Sequence, residues 1–189
     1  MNRKFILSAF VLFLVLANDA SAQRYLAGQC GWQITAGSVN GLNINKGFHV
    51  GIAFSRYTKN ANCWLFCGEY LEKRYSYKNL SLPQSQFTVG VGYNVQFLSD
   101  GGKTVFLSLG MAAMAGYETV NWNSKLLFDG ATVNNKDAFL YGGALTLETE
   151  IFLTDRIVML LNVRERLLDG SSIGKLNTLF GMGIKYIIN

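Results

Sequence analysis

The feature that most constrains this chain is an alternation of two kinds of residue with period two. In "QFTVGVGYNVQF", residues 86–97, Phe87, Val89, Val91, Tyr93, Val95 and Phe97 share one parity, and Gln86, Thr88, Gly90, Gly92, Asn94 and Gln96 share the other. In an extended chain successive side chains point to opposite faces, so each parity is one face of a strand. The polar face of a half-buried strand normally carries long solvated side chains. Here it carries glycine and small polar groups.

Seven other stretches repeat the pattern, which predicts strands over 31–40, 48–57, 63–73, 84–98, 104–117, 138–152, 157–168 and 176–188. One parity collects large apolar residues: Trp32, Ile34 and Ala36; Phe48, Val50, Ile52 and Phe54; Trp64, Phe66 and Tyr70; and, toward the end, Phe180, Met182, Ile184, Tyr186 and Ile188. The other collects Gly, Ala, Ser, Thr and a few charges. The links between strands also alternate. "TKNAN", "SDGGK" and "LTDR" are short turns, whereas "GLNINKG", "SYKNLSLPQ", 118–137 and "DGSSIGK" are longer. Pro83, the only proline, is expected in one of the longer loops. An even number of strands, with short turns at one end and long loops at the other, is the layout of an eight-stranded antiparallel up-and-down outer-membrane β-barrel.

The faces decide between that barrel and a soluble one. An eight-stranded lumen is just wide enough for side chains to fill, and small residues fit there. The outer face meets lipid and must be apolar, with aromatic girdles at the interfaces, for which Tyr93, Tyr117, Tyr141 and Tyr186 are candidates. A soluble ligand-binding barrel would reverse the polarity.

The first 22 residues read as a removable leader. Arg3 and Lys4 precede an apolar run over 5–17 that is too short to span a membrane as a helix, and "ASA" before Gln23 is a cleavage site. The expected domains are therefore a cleaved signal peptide, 1–22, and one β-barrel, 23–189. Losing Arg3, Lys4 and Asp19 with the leader takes the formal charge from +5 to +4. A charge that small, spread along the chain, does not argue for direct nucleic-acid binding.

Cys30, Cys63 and Cys67 are odd in number. Cys63 and Cys67 share one strand, where four residues separate Cα atoms by roughly 13 Å, beyond disulfide reach. They read as small packed thiols. His49 is the only histidine and has no assignable acidic partner, so neither a zinc site nor a Ser–His nucleophile is legible, and no cofactor or enzymatic activity is expected.

The charges on the small-residue face are Glu69, Lys73, Glu148, Glu150, Arg164, Arg166 and Lys185. Buried charge is costly unless paired. Neighbouring strands suggest that Glu148 and Glu150 pair with Arg164 and Arg166, with Gly181 and Gly183 leaving room for the guanidinium groups. Such a network fills the lumen; a selective pore or binding site is the alternative. The 118–137 link carries Trp122, Leu126, Leu127 and Phe128, either packed on itself or presented to a partner, with Trp122 and Phe128 as the candidate contacts.

Several segments resemble one family. "QFTVGVGYNVQFLSDGGKTVFLSLGMAAMAGYETVNW", "DAFLYGGALTLETEIFLTDRI", "NVRERLL" and "GMGIKYIIN" are similar to the TraO proteins of conjugative transposons, over about 48–189. The resemblance implies an exported component of a conjugation apparatus, a type IV secretion system, in the outer membrane. Its partners would be outer-membrane lipid and other conjugative transfer envelope proteins. It brings no catalytic motif. The alternatives are a general small barrel serving adhesion or envelope stability, or a lipid-modifying outer-membrane enzyme.

Overall fold

The computed structural model describes residues 25–77, 80–120, 137–171 and 174–188, of which 75–77 and 80–82 are described in their backbone alone. The strands are β1 (Cys30–Val39), β2 (Gly47–Tyr57), β3 (Cys63–Tyr77), β4 (Leu80–Ser99), β5 (Val105–Val120), β6 (Ala138–Phe152), β7 (Ile157–Asp169) and β8 (Leu176–Ile188). Each pairs antiparallel with the next, and β8 pairs with β1, closing the barrel. Closure leaves no edge strand, so every strand finds ladder partners on both sides.

Parity sets the faces as the pattern requires. Outward residues expose large apolar side chains: Ile34 by 62%, Val89 by 65%, Met111 by 66% and Met182 by 67%. Inward residues include Arg166 at 1% exposure and Lys185 at 0%. A protein that buries its charges and exposes its aliphatic residues is built for a surrounding apolar solvent.

Aromatic residues ring both ends of the wall. At the short-turn end Trp32 packs on Phe54 with ring centroids 5.2 Å apart, and Trp64 meets Tyr93 edge-on at 5.1 Å. Tyr186 pairs with Trp32 in the β1–β8 ladder and extends this ring. At the long-loop end Tyr70, Phe87, Tyr117 and Phe139 occupy successive register positions across β3 to β6. Three tyrosine hydroxyls there donate to carboxylates: Tyr70 to Glu72 (2.8 Å), Tyr117 to Asp137 (2.9 Å) and Tyr141 to Asp169 (3.1 Å). The rings are thus apolar toward the wall and polar toward its rim. Lys175, in the last long loop, bonds the same Asp169 at 2.8 Å, and the carboxylate holds its ammonium above the ordinary lysine value.

Two expectations about the links need correction. The 76–84 segment is not a long loop. β3 continues to Tyr77 and β4 starts at Leu80, so these strands form one long hairpin, and Pro83 lies inside β4 opposite Arg74. The ladder explains why proline is tolerated. The Arg74 N–H donates to Lys46 O on the β2 side (3.1 Å), which makes Arg74–Pro83 a non-hydrogen-bonded pair of β3 and β4. The proline nitrogen therefore faces β5, one residue beyond the last described pair, Gln84–Val120. Likewise β5 runs to Val120, so Glu118 to Val120 belong to a strand and not to the following loop.

Candidate functional site: the charged interior

An apolar stopper fills the lumen at the short-turn end, and sequence patterning did not anticipate it. At the short-turn end Tyr57, Cys63, Phe106, Phe152, Val158, Leu160 and Ile187 form one buried cluster. Tyr25, which precedes β1, inserts into it at 3% exposure. Its ring stacks on Tyr57 at 3.9 Å and packs against Phe106 and Phe152 at 5.2 and 5.0 Å. Two smaller clusters, Val39–Leu71–Leu179 and Met114–Leu140–Ala144–Leu168, lie toward the other end.

From this stopper toward the long loops run the charges. Glu69 of β3 accepts from Arg164 Nη1 at 2.7 Å and from Arg166 Nη1 at 2.6 Å, both on β7. In an eight-stranded ring β3 and β7 are four steps apart either way, so this pairing crosses the lumen from wall to opposite wall. Arg164 Nε also donates to Thr146 Oγ1 (2.9 Å). The crossbar continues toward the long-loop end. Arg166 Nη2 donates to Gln86 Oε1 (3.4 Å), Gln86 Nε2 to Glu118 Oε2 (2.7 Å), and Gln84 Nε2 to Glu118 Oε1 (2.7 Å). Ser171 Oγ donates to the same Glu118 at 2.8 Å.

Nearer the short turns lies a second group. Lys185 Nζ donates to Glu150 Oε1 and, at 2.9 Å, to Tyr57 Oη, and it stands 3.8 Å from Glu148 Oε1. The Tyr25 hydroxyl donates to Glu150 Oε2, tying the stopper to the charges. Lys73 reaches Asn177 Oδ1 at 3.2 Å near the long-loop rim.

The structure therefore brings the expected charges inward but pairs them differently. Glu148 and Glu150 do not bind Arg164 and Arg166. The β6–β7 register sets Glu148 against Asn162 and Thr146 against Arg164, which puts the arginines nearer the loops than the two glutamates. A guanidinium is long enough to reach across a narrow lumen to Glu69 instead. Nor do Gly181 and Gly183 make room for the arginines. A Cβ on Gly181 would meet Asn162 Oδ1 at 2.5 Å and His49 Nε2 at 3.2 Å, and one on Gly183 would meet the Ile34 carbonyl oxygen at 2.2 Å. His49 faces the lumen at 4% exposure. Glu118, Tyr57 and Tyr25 are participants that the sequence reading did not single out. Parity would have found the first, since Glu118 lies two residues beyond Gly116; nothing in the period-two pattern marks Tyr25. Cys30, Cys63 and Cys67 are all free thiols. Trp122 and Phe128 lie outside the described residues.

A closed ring of eight antiparallel strands with an apolar outside and a charged, filled inside defines an outer-membrane β-barrel. Solved structures share this fold. Ail, the attachment invasion locus protein of Yersinia pestis, crystallised with a heparin analogue, is 12% identical, with a TM-score of 0.55 over 86% of this chain and 100% of that one. Neisserial surface protein A is 13% identical, with a TM-score of 0.56 over 83% and 96%. No curated protein matches the sequence. The model of the conjugative transposon protein TraO family matches residues 26–188, and the chain belongs to that family.

Proposed function

We propose that this chain is a structural component of a conjugative transfer apparatus, a type IV secretion system, seated in the outer membrane. Residues 1–22 are its cleaved leader and 23–189 its single barrel domain. Short turns face the periplasm and long loops the exterior. Its role is non-catalytic. It contacts outer-membrane lipid through its wall and other transfer proteins through its ends, and it does not bind DNA directly.

The observation that carries this reading is the filled lumen, taken with the family membership. The Glu69–Arg164–Arg166 crossbar spans the interior, and Lys185, at 0% exposure, lies between it and the Tyr25 stopper. Such a lumen has no path for a strand of DNA, so a part in transfer has to be exerted through surfaces.

The test is a clean deletion complemented by the parent gene. Deletion should lower mating frequency at least tenfold, and the protein should fractionate with outer membrane and show heat-modifiable gel mobility. Recovery from the soluble periplasm would end the barrel placement; unchanged mating would end the transfer role.

A further inference from the structure

We infer that the outer wall carries a site for one phosphate-bearing lipid, with an acyl chain in a depression over Gly68 and the phosphate at Lys46 and Arg74. The site deepens the proposed contact with outer-membrane lipid and rests on that reading. The depression lies on the lipid face across β2 to β6. Its volume is about 610 Å³, and Val50, Ile52, Tyr70, Val89, Ala115 and Phe139 line it. Its floor is Gly68, an outward residue of β3 between Ile52 and Val89. Glycine weakens a strand interior, and one that serves neither a bulge nor a tight backbone approach leaves room for a ligand. The ladders on both sides of Gly68 run without a register shift. A Cβ there would meet nothing closer than Ile52 Cγ2 at 3.9 Å.

Two cations complete the site. Lys46 and Arg74 are cross-strand neighbours, joined by the Arg74 N–H to the Lys46 carbonyl oxygen at 3.1 Å. Both continue the outward parity of the Phe48–Glu72 pair, and both are exposed. Ring contacts link them to the depression. The Tyr70 ring lies 5.9 Å from Phe48, and the Arg74 guanidinium stands 6.0 Å from the Phe48 ring. Glu72 answers Arg74 at 2.9 Å, whereas among the described residues no carboxylate answers Lys46, so the group keeps a surplus positive charge.

The spacing fits a lipid. Arg74 lies six residues beyond Gly68 on β3. At about 3.3 Å per residue and a strand tilt of about 40°, that is about 15 Å along the membrane normal, half of a hydrocarbon core of about 30 Å. A chain whose phosphate stands at Lys46 and Arg74 therefore reaches Gly68. Within a membrane an apolar group gains by packing contacts rather than by leaving water, so the shape of the depression selects the chain. The surplus cation selects the phosphate. A spanning segment of another protein would fill the depression without calling for the cations.

The experiment uses the mature chain in detergent, with native mass spectrometry counting retained phosphatidylglycerol and phosphatidylcholine of matched acyl chains. The parent should keep one phosphatidylglycerol in preference to phosphatidylcholine. Gly68→Leu fills the depression and should weaken retention of both lipids about tenfold, at unchanged heat-modifiable mobility. Lys46→Gln with Arg74→Gln should lower the preference for phosphatidylglycerol about fivefold and leave phosphatidylcholine retention unchanged. Lys103→Gln, which removes a cation at the short-turn end, should change neither. If Gly68→Leu does not fold, Ala115→Leu fills the same depression from β5. Equal retention in the parent and the filled variant overturns the inference. So does a parent without preference for phosphatidylglycerol, or a preference that Lys103→Gln lowers as much. A filled variant that lowers mating while the parent retains no lipid assigns the depression to a transfer partner and also overturns it. Recovery of the protein from the soluble periplasm would end the outer-membrane reading, and lipid retention by the purified chain still judges the site.

Discussion

The crossbar makes a prediction in which the partner identities can be tested separately from the faces. Glu69 is 7% exposed and holds two guanidinium groups, at 2.7 and 2.6 Å. Glu69→Ala leaves both arginines uncompensated in a narrow lumen. Breaking one buried pair by removing a partner costs about 3–5 kcal/mol, and two cations on one acceptor put this substitution toward the upper end. Arg166→Ala is milder, since Glu69 keeps Arg164, and the loss of charge-assisted hydrogen bonds suggests about 1.5–3 kcal/mol. The double substitution should cost less than the sum, with a coupling of about 1–3 kcal/mol. The control cycle uses Glu150, which bonds Lys185 and Tyr25 instead. Glu150→Ala with Arg166→Ala should be additive to within about 0.5 kcal/mol. Urea unfolding in lipid vesicles measures each value, followed by the fluorescence of Trp32 and Trp64, whose exposed rings report on insertion. Coupling of Glu150 to Arg166, with additivity of Glu69 and Arg166, would refute the crossbar and restore pairing between neighbouring strands.

Other outcomes follow from single sites. Val91, outward on β4 between Phe66 and Ala113, meets lipid mid-wall, so Val91→Arg should cost about 2–4 kcal/mol in the same unfolding assay. Parent-like insertion of this variant would mean that the faces are reversed. Gly92→Ala should destabilise through the ladder, because the added Cβ would stand 2.7 Å from the Met111 carbonyl oxygen and 2.9 Å from Ala112 Cβ, and an unchanged midpoint would count against that contact. Tyr25→Ala should remove an aromatic stopper at a cost of about 3–5 kcal/mol, and Tyr25→Phe only the hydroxyl bond to Glu150, about 1–2 kcal/mol; equal losses would show that ring packing is not what holds it. Trp122→Ala with Phe128→Ala tests the outer loop. Lower mating with normal outer-membrane level and gel mobility makes it a contact site, whereas lost heat-modifiability makes it a cap on the barrel.

The sequence by itself determined the strands, their faces and the closure of the barrel. Period-two alternation is a local property, written in each strand by the solvents on its two sides. In "QFTVGVGYNVQF" it could be read without knowing any neighbour, and Val89 and Val91 do face out while Gly90 and Gly92 face in. Turn lengths were legible for the same reason, except where a strand outlasts its apolar pattern. β3 and β4 continue through 75–83 because ladder bonds, which any backbone can make, hold a polar stretch as well as an apolar one. Only the tertiary structure decided which inward charges meet. Parity says that Glu69, Glu148, Arg164 and Arg166 point inward. It gives neither their height, which the strand stagger sets, nor the reach of a side chain across the ring. Adjacent strands suggested Glu148 and Glu150 for the arginines, and the register moved those glutamates one level down, to Lys185. The Tyr25 stopper belongs to the same class. A residue outside every strand acquires its place only when the barrel closes and leaves an apolar mouth of its size, lined by Tyr57, Phe106 and Phe152.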